Sequence, residues 1–105
     1  MIGPTEVLAE FLAGLQYNDI PGSARHMAKM CFLDWLGSAL IGSKQEPARV
    51  ILDVLGGFGG APESTVIGNG NKTSQLNAAL INGVMSHIVE LDDVHKASIL
   101  HPAAP

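Results

Sequence analysis

Between Met27 and Ile41 the chain sets apolar side chains almost all the way round a helix. Met27, Ala28, Met30, Cys31, Phe32, Leu33, Trp35, Leu36, Ala39 and Leu40 go almost all the way round, with Arg25 and Lys29 forming one short polar stripe. A helix of this kind lacks a solvent face of its own, so it is expected at the centre of the fold with other elements packed around it. The run is interrupted by Lys29 and Asp34 and is shorter than the roughly 18 uninterrupted apolar residues a membrane span requires. It therefore reads as a buried helix, and no membrane partner is expected. Cover is hard to find within the chain itself, because a domain of 105 residues buries only about two thirds of the surface its unfolded form exposes. With 47% hydrophobic residues and a mean hydropathy of +0.25, the sequence calls for further chain or a partner subunit to complete the burial.

The flanking sequence supplies more helices. Pro4-Thr5-Glu6 opens one in which Val7, Leu8, Phe11, Leu12 and Leu15 recur at three- and four-residue steps, predicting a helix over 5–17 with one buried stripe. Ile20-Pro21-Gly22-Ser23 is punctuation, with Ser23 as a cap, and the central helix is predicted over 23–41 with Gly42 as its stop. Pro47 suits a first helical turn, and Val50, Ile51, Val54 and Leu55 predict a third helix over 47–56, ended by Gly56-Gly57-Phe58-Gly59-Gly60. Ser64-Thr65-Val66-Ile67, closed by Gly68-Asn69-Gly70, predicts one short extended segment. A fourth helix, capped by Thr73 or Ser74 and carrying Leu76, Ala79, Leu80, Val84 and Ile88, is predicted over 73–89. The expected fold class is all-α, one unit over 1–105.

Several function classes are disfavoured by what the chain lacks. The net charge is -4 and the six basic residues are scattered, so the basic face of a nucleic-acid binder is missing. One cysteine, Cys31, excludes a disulfide framework, fits a reducing compartment and reads as core filler. Met1-Ile-Gly-Pro-Thr-Glu has neither the basic nor the apolar region of a signal peptide, which makes a cytoplasmic location the expectation. The glycine cluster at 56–60 follows a helix, has no Lys-Ser/Thr ending and no acidic ribose partner, so it reads as a link instead of a phosphate loop.

Chemistry concentrates after residue 86. His87, Glu90, Asp92, Asp93, His95 and His101 include three of the four histidines in the chain. His87 and Glu90 are three residues apart and would share a helical face. Asp92-Asp93 places two like charges side by side, which fits either a solvated helix end or a tuned site. His101 precedes Pro102, so its backbone is held extended and its imidazole is given a fixed direction, as a general base requires and as a structural histidine also permits. The mixture of N and O ligands would suit zinc or manganese, yet the spacing matches no closed zinc motif, and no metal or other cofactor is expected.

Asp34-Trp35-Leu36-Gly37 with Ala39 and Gly42, then Ala78-Ala79-Leu80-Ile81-Asn82-Gly83, His87, Glu90-Leu91-Asp92-Asp93-Val94-His95 and His101-Pro102, together resemble the N-terminal part of the MmgE/PrpD family. The resemblance covers nearly the whole chain, and its most specific part is the ordered set Asn-Gly, His, Asp-Asp, His-Pro. It implies an all-α large domain and proton chemistry on small di- or tricarboxylic acids, as in 2-methylcitrate dehydratase, cis-aconitate decarboxylase and iminodisuccinate epimerase, without nicotinamide or flavin. A hydro-lyase of the 2-methylcitrate dehydratase kind is the expected activity. His101, with Asp92 and Asp93, is implied to be catalytic, and Glu90, His95, Lys96 and His87 to bind substrate. Glu90 stands where several members have Asp, and Val94 where they have Thr, which argues against a decarboxylase. Family enzymes are several times longer, so the chain reads as a fragment that is inactive alone and part of a homodimer when complete. Two further readings remain: a noncatalytic helical oligomerisation unit, and a His/Asp metal-binding module.

Overall fold

The computed structural model describes residues 3–103; Met1, Ile2, Ala104 and Pro105, and with them the start of the segment read for an export signal, lie outside the described residues. Four helices follow one another, α1 (Pro4–Gly14), α2 (Gly22–Gly42), α3 (Glu46–Gly56) and α4 (Gln75–His87), with two short strands, β1 (Ser64–Thr65) and β2 (Lys72–Thr73), between the last two helices. The mostly helical architecture is the one the apolar spacing predicts. None of the described helices is long and apolar enough to cross a membrane.

The core is built on α4. Ile81 and Met85 of α4, Ala48 of α3 and Val66 of the hairpin form its buried cluster, with Ile51, Leu52, Leu55, Ile67 and Ile88 packed around it. On another side α4 meets the C-terminal half of α2, whose buried residues are all small: Ser38, Ala39 and Gly42. The reason for glycine is steric, because a Cβ at position 42 would land on the backbone carbonyl of Met85. Only a residue without a side chain lets the two helices approach this closely.

The hairpin differs from the sequence expectation. The extended segment at 64–67 is its first arm, and Lys72–Thr73 pairs antiparallel with it in the register Ser64 to Thr73 and Thr65 to Lys72. Because residue 73 belongs to this second strand, α4 starts at Gln75, capped by Ser74, whose Oγ accepts from the Asn77 N–H at 3.3 Å. Gly68 and Gly70 take positive φ in the turn, at 84° and 73°. Asn82 fastens the hairpin to α4: its Oδ1 accepts from Ile67 N–H at 2.9 Å, and its Nδ2 donates to the Thr65 carbonyl at 3.1 Å.

The apolar faces for which the sequence calls for further cover are exposed. α1 has no buried residue, and Val7, Leu8, Phe11 and Leu12 are each more than half exposed, so its stripe is present but uncovered. Likewise α2 is enclosed only in its second half, while Met27, Phe32 and Leu33 stay more than half exposed and Cys31 is half-buried beside an open groove, not core filler. α1 also ends three residues early, since Leu15 and Gln16 are extended and Gln16 and Asp19 cap each other around a 3₁₀ turn at Tyr17–Asp19. Arg25, expected in a solvent stripe, lies over the Tyr17 ring at 4.8 Å and donates to the Tyr17 carbonyl at 3.2 Å.

Candidate functional site

The site begins where α4 stops. His87 is the last residue of the helix, and Glu90 turns the chain back with φ of 50°, its N–H donating to the His87 carbonyl at 2.9 Å. A left-handed residue at this point ends the helical register, so Glu90 does not share a face with His87. Its side chain is exposed and does not line the cleft described below, contrary to the expectation from a three-residue spacing.

Past this turn the two adjacent aspartates diverge. The Asp92 side chain is only 6% exposed and faces the imidazoles. His87 Nδ1 lies 3.1 and 3.3 Å from its two carboxylate oxygens, and His101 Nδ1 lies 2.9 Å from Oδ2. Asp93 instead ties down the segment that follows, its Oδ1 accepting from Ala103 N–H at 3.2 Å while its carbonyl receives His101 Nδ1 at 2.8 Å. The pair therefore does not share a proton; one carboxylate serves the site and the other fastens the loop. Burial alone would raise the Asp92 carboxyl, but the hydrogen bond from His87, its own backbone N–H and the charges of His101 and His87 outweigh burial and hold it below the usual value of 3.8.

This arrangement fixes the His101 tautomer. A backbone carbonyl only accepts, so the nitrogen facing it at 2.8 Å carries a proton. Nε2 is then the basic atom of the neutral ring, and the ring itself is held between Asp92 and the Asp93 carbonyl. His87 presents its Nδ1 to the same carboxylate, and the two rings meet edge to face with centroids 5.4 Å apart at 71°. His101 is carried to this position by the turn before it. His95 N–H donates to the Leu100 carbonyl at 2.8 Å, and the His95 carbonyl accepts from Ser98 and Ile99 N–H at 3.2 and 2.9 Å. His95 Nδ1 is itself engaged with Ser98 Oγ at 2.8 Å. His95 thus builds the turn and Lys96 is exposed on it; neither lines the cleft.

That cleft, of about 510 Å³, is bounded by Trp35, Ala79, Asn82, Gly83, Ser86, His87, Asp92 and His101. A larger groove, of about 640 Å³, holds Asp93 with Asp34 and Cys31 but no imidazole, and so no group suited to proton transfer near neutrality. The sequence does not identify Trp35 or Ser86 as site residues. Nothing in the apolar run marks Trp35 as a wall of the cleft, and Ser86 is marked only by its place beside His87. Ligand atoms of His87, Asp92 and His101 lie within 4.8 Å of one another, close enough for a cation. Within this cluster His87 is hydrogen-bonded to Asp92, while His101 donates to the Asp93 carbonyl and stands 2.9 Å from the same carboxylate.

Residues 6–105 match the family model described as MmgE/PrpD N-terminal domain. Among curated proteins, a cis-aconitate decarboxylase-like protein of Aspergillus oryzae is 33% identical over 106 residues, covering 95% of this chain and 21% of the relative. A cis-aconitate decarboxylase of Aspergillus terreus is 28% identical over 102 residues, covering 97% of this chain and 21% of the relative. The chain thus spans about a fifth of the length of these relatives. No solved structure gives a significant match. A family match that takes in all four helices and every member of the His87, Asp92 and His101 triad shows that this chain belongs to the MmgE/PrpD family.

Proposed function

We propose that the domain supplies acid–base residues to a lyase of small di- or tricarboxylic acids, a hydro-lyase of the 2-methylcitrate dehydratase kind. The observation that carries this reading is the His101 tautomer: Nδ1 donates to the Asp93 carbonyl beside the Asp92 carboxylate, so Nε2 serves as the base on the cleft wall. Nε2 takes the proton from a carbon beside a substrate carboxylate, and Asp92 holds the imidazolium that results. Among the described residues no lysine or arginine lines the cleft, whereas a di- or tricarboxylate and the charge it develops require cationic partners. Those partners belong, on this reading, to further family sequence such as the relatives carry, and the 105-residue chain is inactive alone. The exposed apolar faces of α1 and α2 are then covered by that sequence and by a second subunit, in a cytoplasmic homodimer.

A second reading, decarboxylation, is favoured by the names of the relatives. Val94 weighs against it, because a valine offers no hydroxyl where the decarboxylase-like pattern has threonine. Product analysis decides between them. A protein carrying this domain joined to the remaining family sequence is given 2-methylcitrate and cis-aconitate, with the 105-residue chain assayed beside it. The expected result is loss of water without carbon dioxide, from the longer protein only. Carbon dioxide as the product, or turnover by the short chain, overturns the proposal.

A further inference from the structure

We infer that His87 is the proton donor to the departing hydroxyl, working opposite His101 in one elimination. This rests on the hydro-lyase reading above, which assigns the base but leaves the acid unassigned. Loss of water needs both, because hydroxide is a poor leaving group until it is protonated.

Three features of the triad select His87. The first is tautomer: its Nδ1 faces Asp92 at 3.1 Å, as that of His101 does at 2.9 Å, so each ring has its Nε2 on the side away from the carboxylate. Both rings also line the same cleft, and their centroids are 5.4 Å apart at 71°, so they approach a molecule there from two directions. The second feature is charge. In the reacting state His87 is protonated and His101 neutral; the C–H bond breaks and its proton goes to His101 Nε2. The electron pair left on carbon forms the double bond, the C–O bond breaks, and the hydroxyl leaves as water with the His87 Nε2 proton. One positive charge has moved from one imidazole to the other, 5.4 Å between ring centres, while Asp92 touches both. A single buried carboxylate therefore neutralises the cluster before and after the step, so the site need not reorganise around a new charge. The third feature is exposure, 63% for the His87 side chain against 38% for His101. The more exposed ring is reprotonated by water between turnovers, and His101 returns its proton to solvent.

The test uses the active protein that contains this domain, with His87→Gln and, read in the same way, His87→Asn. Three rates are measured: dehydration, exchange of the abstracted substrate hydrogen with deuterated solvent, and elimination from an analogue carrying fluoride in place of the hydroxyl. Fluoride leaves without a proton. Dehydration is expected to fall about a hundredfold, while exchange and fluoride loss stay within a few fold of the unmodified protein, which also shows the site to be folded. Unchanged dehydration, or a parallel fall in all three rates in both variants, overturns the assignment of His87. His101→Gln is expected to lower all three by about a hundredfold or more. If it retains exchange, the failure lies with His101 as the base, and so with the reading on which this assignment stands.

Discussion

Asp92→Asn tests the structural basis of the site. Asn has nearly the same shape but replaces one carboxylate oxygen with an NH₂ donor and removes the charge. His87 Nδ1–H donates to Asp92 Oδ2 at 3.1 Å and His101 Nδ1 lies 2.9 Å from the same oxygen, so in the variant His87 loses a charged acceptor or meets a donor, and both imidazoles lose the charge they face. Hydrogen bonds to a charged group contribute about 1.5–3 kcal/mol each. Exposure of the His87 partner screens its share, and the neutral amide costs less to bury, so a net loss of about 2 kcal/mol is expected near neutral pH. For a domain of this size that corresponds to a fall in Tm of roughly 8–16 °C.

The pH dependence gives the sign. The Asp92 carboxyl is held below 3.8 in the folded chain, so its contribution is complete above the unfolded value and is lost as pH falls through the lower folded one. Urea unfolding of both proteins should therefore show a constant gap above about pH 5 that narrows with acidification. A gap that stays the same down to pH 3, or no gap at pH 6, refutes the reasoning.

Gly42→Ala should destabilise the chain by about 3 kcal/mol, at the upper end for overpacking, because the added methyl meets a backbone carbonyl of α4 that has no rotamer to escape into; an unchanged urea midpoint would show that the α2–α4 approach is looser than described. Asn82→Ala removes both bonds to the hairpin and leaves the Ile67 N–H without its acceptor, an expected loss of about 2–3 kcal/mol, with faster amide exchange at Ile67 as the local readout. The exposed faces of α1 and α2 should make the isolated chain bind a hydrophobic dye and self-associate in sedimentation experiments, whereas a dye-free monomer at high concentration would show that these faces need no cover.

The helices were legible because their apolar residues recur at helical spacing, and the cap of the last one to within Thr73 or Ser74; the structure selects Ser74 because residue 73 is taken by the second strand. The second strand was not legible. Lys72-Thr73 carries no alternation of its own and is held by pairing with Ser64-Thr65, a tertiary contact. For α1 the stripe was legible but not its cover, since periodicity says which side is apolar and not what lies against it. In the site, the residue types of Asp92 and His101 announced acid–base chemistry. Which of the two aspartates faces the imidazoles depends on the left-handed turn at Glu90, and a non-glycine residue with φ of 50° leaves no mark in the sequence. The same turn takes Glu90 away from His87. His95 looked like a site residue for its chemistry, while its backbone and ring are engaged in the turn that delivers His101.

The central claim is that Nε2 of His101 is the base, and the turnover of His101→Ala in the active protein containing this domain tests it most directly. His26, exposed on α2 and away from the cleft, is the control. His101→Ala should lower the dehydration rate by about a hundredfold or more with the fold intact, and His26→Ala should leave it unchanged. Dehydration by His101→Ala at the unmodified rate contradicts the account.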